Sequence, residues 1–170
     1  KTSETINKIN KYKLLGKKIL ILNHSLDNSR YKDNSLSTHS NINIPCINVS
    51  NFDEIKTNPL FDYINSDVIV IEEAQFFKKG LCDFVLEAAD KDNKIVIVTG
   101  LDGDSDRKEF GEINRLLPHS TSFVKLHALC LKCKDGTLAC FTKCLVNKSE
   151  QILVGTDTFI PVCRYHYNNN

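Results

Sequence analysis

Methionine is absent from the 170 residues, even at position 1, so the chain starts without an initiator and residues upstream of Lys1 are expected. No apolar run approaches the roughly 20 residues that a helix needs to cross a bilayer, and no signal-peptide core opens the chain. These two absences argue against a membrane or exported protein and for a soluble, cytoplasmic one. Nor is there an excess of charge: 22 Lys and Arg face 21 Asp and Glu, for a net +1. A broad basic surface for nucleic acid or for a membrane is therefore not expected, and any nucleotide belongs in a pocket. No internal repeat is present. Seven cysteines, an odd number, do not suit a closed disulfide framework and fit a reducing compartment with a metal site.

What is present suits one domain with a small appendage, at 41% hydrophobic and 25% charged residues. Ile6, Ile9 and Leu14 recur at helical spacing ahead of Gly16, which predicts a helix ending there. Ile19-Leu20-Ile21-Leu22, Val68-Ile69-Val70-Ile71 and Ile95-Val96-Ile97-Val98 are uninterrupted apolar runs of the kind found in strands covered on both faces. Cys46 to Val49 reads as a short strand, and Asn51-Phe52-Asp53-Glu54 as the capped start of a helix running toward Ile64. The polar stretch 23–43 reads as a long loop. A helix is expected to carry Phe77, Leu81, Phe84, Val85 and Ala88 on one side. Strands alternating with helices predict a parallel α/β sheet with ligands at the carboxyl ends of its strands. After Pro118 the helical period fades, cysteines gather, and β-like runs appear at Leu138 to Leu145 and Gln151 to Val154. The boundaries read from this change are residues 1–124 for a nucleotide-binding α/β domain and 125–170 for a small metal-clamped lobe.

Three motifs carry chemistry. Cys130-Leu131-Lys132-Cys133 and Cys163-Arg164-Tyr165-His166 supply three thiolates and one imidazole, a closed tetrahedral set for a structural Zn²⁺ with no position left for water. The strand at Val68 ends in Glu72-Glu73, and because side chains alternate across a strand the two carboxylates can serve different parts of a cleft, one for Mg²⁺ and one for a proton. Lys1-Thr2 opens a helix followed by a buried strand, which is the order found at the end of a G-x-x-x-x-G-K-[ST] phosphate loop. There the Lys contacts phosphates and the hydroxyl binds Mg²⁺.

Together these residues resemble the type II, zinc-containing thymidine kinases, along essentially the whole chain. The likeness is carried by Lys1-Thr2-Ser3-Glu4 with its helix, Glu72-Glu73-Ala74-Gln75-Phe76-Phe77, Gly100-Leu101-Asp102-Gly103-Asp104 with Arg107 to Gly111, and Lys125 through His166. The resemblance implies a P-loop-type parallel sheet with a zinc lobe carrying a lasso-like loop, and transfer of the γ-phosphoryl group of ATP to the 5′-hydroxyl of thymidine with Mg²⁺. It implies Glu73 as catalytic base, Glu72 in the place of a metal-associated Asp, and Lys1 and Thr2 at the phosphates. Arg30 matches the family's catalytic arginine, with Asp27 or Asn28 as the acid of the same segment. For the nucleoside it implies Phe76, Leu101, Phe110 and the lasso residues Gly155, Thr156, Asp157 and Phe159, the last standing where the family commonly has Tyr. It further implies a homotetramer and dTTP as feedback inhibitor. Two other readings are a catalytically impaired nucleotide-binding relative and a zinc-ribbon module for nucleic acid.

Overall fold

A computed structural model describes residues 1–26, 35–37, 43–146, 151 and 158–169, with backbone alone at 35–37 and 43. In chain order the first elements are α1 (Thr2–Leu14), β1 (Ile19–His24), an antiparallel pair β2 (Ser35–Ser37) and β3 (Asn43–Pro45), β4 (Ile47–Val49), β5 (Val68–Glu72), α2 (Leu81–Leu86) and β6 (Ile95–Val98). β1, β4, β5 and β6 form one parallel sheet in the order β4-β1-β5-β6.

The apolar runs of β1 and β5 are explained by cover on both faces, whereas β6, expected to be covered in the same way, stands at the end of the strand order with Ile95 exposed and Val96, Ile97 and Val98 only partly buried. Leu20, Leu22, Ile69 and Ile71 point to one side, where they pack with Phe52, Phe77, Leu81 and Phe84. Ile21, Val68 and Val70 point to the other, against Ile6 and Ile9 of α1. Ile69, Ile71, Val68 and Val70 are fully buried, each contributing on the order of 1.5–3 kcal/mol of transfer free energy. α1 ends as its sequence predicts, with Gly16 at φ +71° just beyond the last turn.

Two expected helices are altered. Asn51 does cap, its side chain accepting the Asp53 N–H, but the chain from there makes turns and then a 3₁₀ segment at Pro59–Phe61. Pro59 lacks the N–H that a continuing helix needs, and the Asn58 side chain accepts the Leu60 N–H to start the new segment. Phe77 lies ahead of α2 rather than on it, and after Leu86 the helix widens into a π turn, Glu87–Lys91. Part of the stretch read as a loop carries the pair β2 and β3; residues 27–34 and 38–42 lie outside the described residues.

The chain divides into two compact units, one of Lys1–Asp102 with Phe110–Ser120, the other of Gly103–Glu109 with Thr121–Asn170. The second holds β7 (Ala128–Leu129) paired antiparallel with β8 (Leu138–Ala139), β9 (Phe141–Cys144) paired antiparallel with β10 (Phe159–Val162), and α3 (Arg164–Asn168). Its buried core is small, Cys130, Ala139, Val162 and Cys163. Segment 103–109 joins it through Arg107, whose guanidinium lies 4.7 Å from the Tyr167 ring centre, and through the Tyr167 hydroxyl, which donates to the Ser105 carbonyl at 2.7 Å.

Candidate active site and metal cluster

The acidic pair sits where a parallel sheet presents ligands, at the carboxyl end of its central strands. Glu72 is the last residue of β5, in register with Asn23 of β1. Glu73 leaves the strand in the left-handed region at φ +50°, a conformation that costs a non-glycine residue on the order of 1–2 kcal/mol. That reversal sends the two carboxylates into different surroundings.

Glu72 is 1% exposed. Burial, the dominant influence, raises its carboxyl above the ordinary value; hydrogen bonding with the Thr5 and Thr99 hydroxyls and the charge of Lys1 oppose the rise, and Glu73 adds to it. Its Oε1 is buried, and no group among the described residues donates a hydrogen bond to it. Such a carboxyl is compensated in one of two ways, by a proton, which burial favours, or by a bound cation. The Glu73 side chain is 16% exposed, and Lys1 Nζ lies 3.2 Å from its Oε1 while Gln75 Nε2 donates to its Oε2 at 2.6 Å. Both oxygens thus accept, and the one facing Lys1 lies toward the start of α1, where Thr2 is the first helical residue.

Beside this pair the 3₁₀ segment Ala74–Phe76 presents an aromatic wall. Phe76 meets Phe110 edge to face at 5.7 Å and the His24 ring at the same distance. Phe77 turns the other way into the core, 1% exposed. Leu101 is tied in through its N–H, which donates to Gln75 Oε1 at 3.0 Å. Glu73, Phe76, Leu101 and Phe110 are thus gathered in one unit with Lys1 and Glu72. His24, which belongs to no motif in the sequence, is 6% exposed, with Nδ1 accepting the Leu26 N–H at 3.1 Å, and burial holds its pKa below the ordinary value. Gln75 was also missed, because an amide beside two carboxylates carries no pattern of its own.

In the second unit the four proposed ligands converge. Cys130 ends the β7 arm of a hairpin whose turn places Lys134 and Gly136 at positive φ, while Cys163 and His166 are three apart at the start of α3, on one helical face. The ligand atoms all lie within 4.8 Å of one another. Cys133 Sγ is 3.7 Å from Cys163 Sγ, and His166 Nδ1 is 3.3 Å from Cys133 Sγ and 3.4 Å from Cys163 Sγ. A tetrahedral ion with metal–sulfur bonds of about 2.3 Å requires sulfur–sulfur edges of roughly 3.8 Å and sulfur–nitrogen edges of roughly 3.5 Å, so the donor set and spacing fit Zn²⁺. Against burial, which pushes it up, the backbone N–H groups of Cys163, Cys133 and Lys132 bring the Cys130 thiol down to about 6. Burial and the neighbouring sulfurs push Cys133 up to about 11, and a second thiolate there calls for a cation.

Phe159 lies in β10 of this unit, partly buried. Asp27, Arg30, Gly155, Thr156 and Asp157 lie outside the described residues. Asp104, which closes the Gly100 to Asp104 stretch but has no role there from sequence, accepts the N–H groups of Asp106 and Lys108 at Oδ1 while Oδ2 accepts from Gln151 Nε2 at 2.7 Å.

Fold and sites define a class: a parallel α/β protein with a carboxylate pair at the strand ends and a Cys₃His metal-ligating lobe. The chain belongs to the thymidine kinase family, whose model matches residues 1–167. It is 37% identical over 175 residues to a thymidine kinase of Choristoneura fumiferana entomopoxvirus, covering all of this chain and 91% of the viral one. A myxoma virus thymidine kinase is 33% identical, over 98% of this chain and 89% of its own. With a thymidine kinase of Oryza sativa subsp. japonica the identity is 37% over 98% of this chain, which spans only 61% of the rice protein. Among the described residues no helix is long and apolar enough to cross a membrane.

Proposed function

We propose that this protein is an ATP-dependent thymidine kinase of cytoplasmic nucleotide salvage, converting thymidine and ATP to dTMP and ADP. The observation that carries the reading is the Glu73 carboxylate at the end of β5, held by Lys1 and Gln75 beside the Phe76 and Phe110 rings. Phosphoryl transfer needs little covalent chemistry from a protein and much positioning. In the transfer the bond from thymidine O5′ to the γ-phosphorus forms, the bond to the bridging oxygen of ADP breaks, and the 5′-hydroxyl proton passes to Glu73. We assign Phe76, Leu101 and Phe110 to the nucleoside and, by family likeness alone, Gly155, Thr156, Asp157 and Phe159 to recognition of its base. Lys1 neutralises phosphate charge at the amino end of α1, and Arg30, with Asp27 in the same segment, meets the transferred group.

Mg²⁺ would suit Glu72 Oε1, which has no donor among the described residues, and by family likeness the Thr2 hydroxyl would join it. When bound, it neutralises charge building on the phosphoryl oxygens. Zn²⁺ in the Cys130, Cys133, Cys163, His166 set is structural: four ligands close the coordination sphere, and the small core of that unit needs a clamp. Functionally we divide the chain into a nucleotide-binding part, 1–124, and a zinc lobe with the lasso, 125–170. Inhibition by dTTP and a homotetramer complete the proposal by family likeness. A nucleic-acid-binding zinc module is not favoured, because the family match runs through the α/β part as well as the lobe.

The test is conversion of thymidine by labelled ATP and Mg²⁺, with Glu73→Gln in parallel. We expect dTMP from the parent protein and a loss of about 10²–10⁴-fold in kcat in the variant with zinc content unchanged. No dTMP from the parent sinks the activity; full turnover in Glu73→Gln sinks the base.

A further inference from the structure

We propose that Gln75 is a positioning residue that locks the Glu73 carboxylate to the backbone of Leu101, an inference that rests on the reading of Glu73 as proton acceptor. A primary amide has one accepting end and one donating end. The Leu101 N–H can only donate, so Oε1 of Gln75 must face it, as it does at 3.0 Å. Nε2 is then obliged to face Glu73, where it donates to Oε2 at 2.6 Å. The orientation of the amide is thus decided by a backbone group and imposed on the carboxylate. One oxygen of Glu73 is committed to the amide, and Oε1, on the Lys1 side, is the one offered to a substrate proton.

The amide cannot drift. Gln75 is 1% exposed, and the turn that carries it is tied to the exit of β6 by the Ala74 N–H, which donates to the Thr99 carbonyl at 3.0 Å. On its other side stands Gly111 at φ +64°, so close that a Cβ there would lie 2.4 Å from the Gln75 carbonyl oxygen. Because Leu101 belongs to the segment assigned to the nucleoside, the same amide couples the wall of the nucleoside site to the orientation of the base.

Gln75→Glu separates this from mere packing. A protonated Glu at 75 keeps the shape, one donor and one acceptor; an ionised one has no donor and repels Glu73. We expect the ratio of variant to parent kcat to be near unity in acid and to fall about 10-fold or more as pH rises. Gln75→Leu should cost about 10–100-fold in kcat at every pH. Placed in the Glu73→Gln background it should cost less than about 2-fold, since the two groups act as a unit. A Gln75→Glu ratio flat with pH, or an undiminished Gln75→Leu loss in the Glu73→Gln background, overturns the inference. Should Gln75→Leu fail to fold, the Gln75→Glu profile decides alone. Full turnover in Glu73→Gln would remove the underlying base assignment, whereas lost turnover there with silent Gln75 variants would remove only the positioning role.

Discussion

Gly111→Ala is a sharp test of how the Gln75 turn is held, because Gly16→Ala supplies its own control. Both glycines have positive φ, +64° and +71°, so both substitutions incur left-handed strain of about 1–2 kcal/mol. They differ in space. A Cβ at Gly16 meets nothing within 4 Å, while one at Gly111 lies 2.4 Å from the Gln75 carbonyl oxygen and 3.0 Å from the Phe77 carbonyl oxygen. Carbon and oxygen need about 3.2 Å or more, so the Gln75–Phe77 backbone must shift by roughly 0.8 Å, for which overpacking costs of about 1–3 kcal/mol are the guide. The totals are then about 1–2 kcal/mol for Gly16→Ala and about 2–5 kcal/mol for Gly111→Ala. For a chain of this length each kcal/mol lowers Tm by about 2–4 °C. Differential scanning fluorimetry should show Gly111→Ala melting well below Gly16→Ala, and its kcat should fall while that of Gly16→Ala stays near the parent value. Equal melting temperatures, or a silent Gly111→Ala, would refute the claim that this contact braces the Gln75 turn.

Two further outcomes follow from the buried acid and the sulfur cluster. Because burial raises the Glu72 carboxyl, the stability tied to its neutral form is full below its ordinary value of 4.5 and is lost as pH rises through the raised folded value. Glu72→Gln should therefore melt roughly 2–4 °C above the parent at alkaline pH, with the gap closing toward acid, when Mg²⁺ is chelated; a gap that ignores pH contradicts the assignment. Cys163→Ser should cut bound zinc from about one ion per chain to near none and open the second unit to protease, since a bound structural zinc is worth on the order of 10–16 kcal/mol in peptides and this unit's core is four small or medium side chains. Stoichiometric zinc with unchanged proteolysis in that variant would show that the metal clamps nothing.

Much of this was legible before any fold was known. The apolar runs at Ile19 and Val68 identified the buried strands because a strand covered on both faces has no reason to alternate; the run at Ile95 marked a strand, but one at the end of the sheet and only partly buried. The paired spacings at Cys130 and Cys163 pointed to the convergent Cys₃His set because an x-x gap lets two side chains turn to one point. Other features were hidden. The helix expected after Asn51 gave way to turns at Pro59, where a cap signal was locally correct but could not be extended. The assignment of 103–109 to the second unit depends on Arg107 and Ser105 meeting Tyr167, about sixty residues on, which no local pattern announces.

Sequence alone, then, determined which residues could bury, which could bind a metal, and that two acids close a strand, since each follows from side-chain chemistry at short spacing. Only the tertiary structure decided that Glu72 turns inward to Thr5 and Thr99 while Glu73 turns outward to Lys1, and that an amide at Gln75 stands between the acid and Leu101. The physical reason is that burial and hydrogen-bond direction belong to groups meeting from distant parts of the chain, and the left-handed residue that parts the two acids is sustained by those meetings rather than by its own preference.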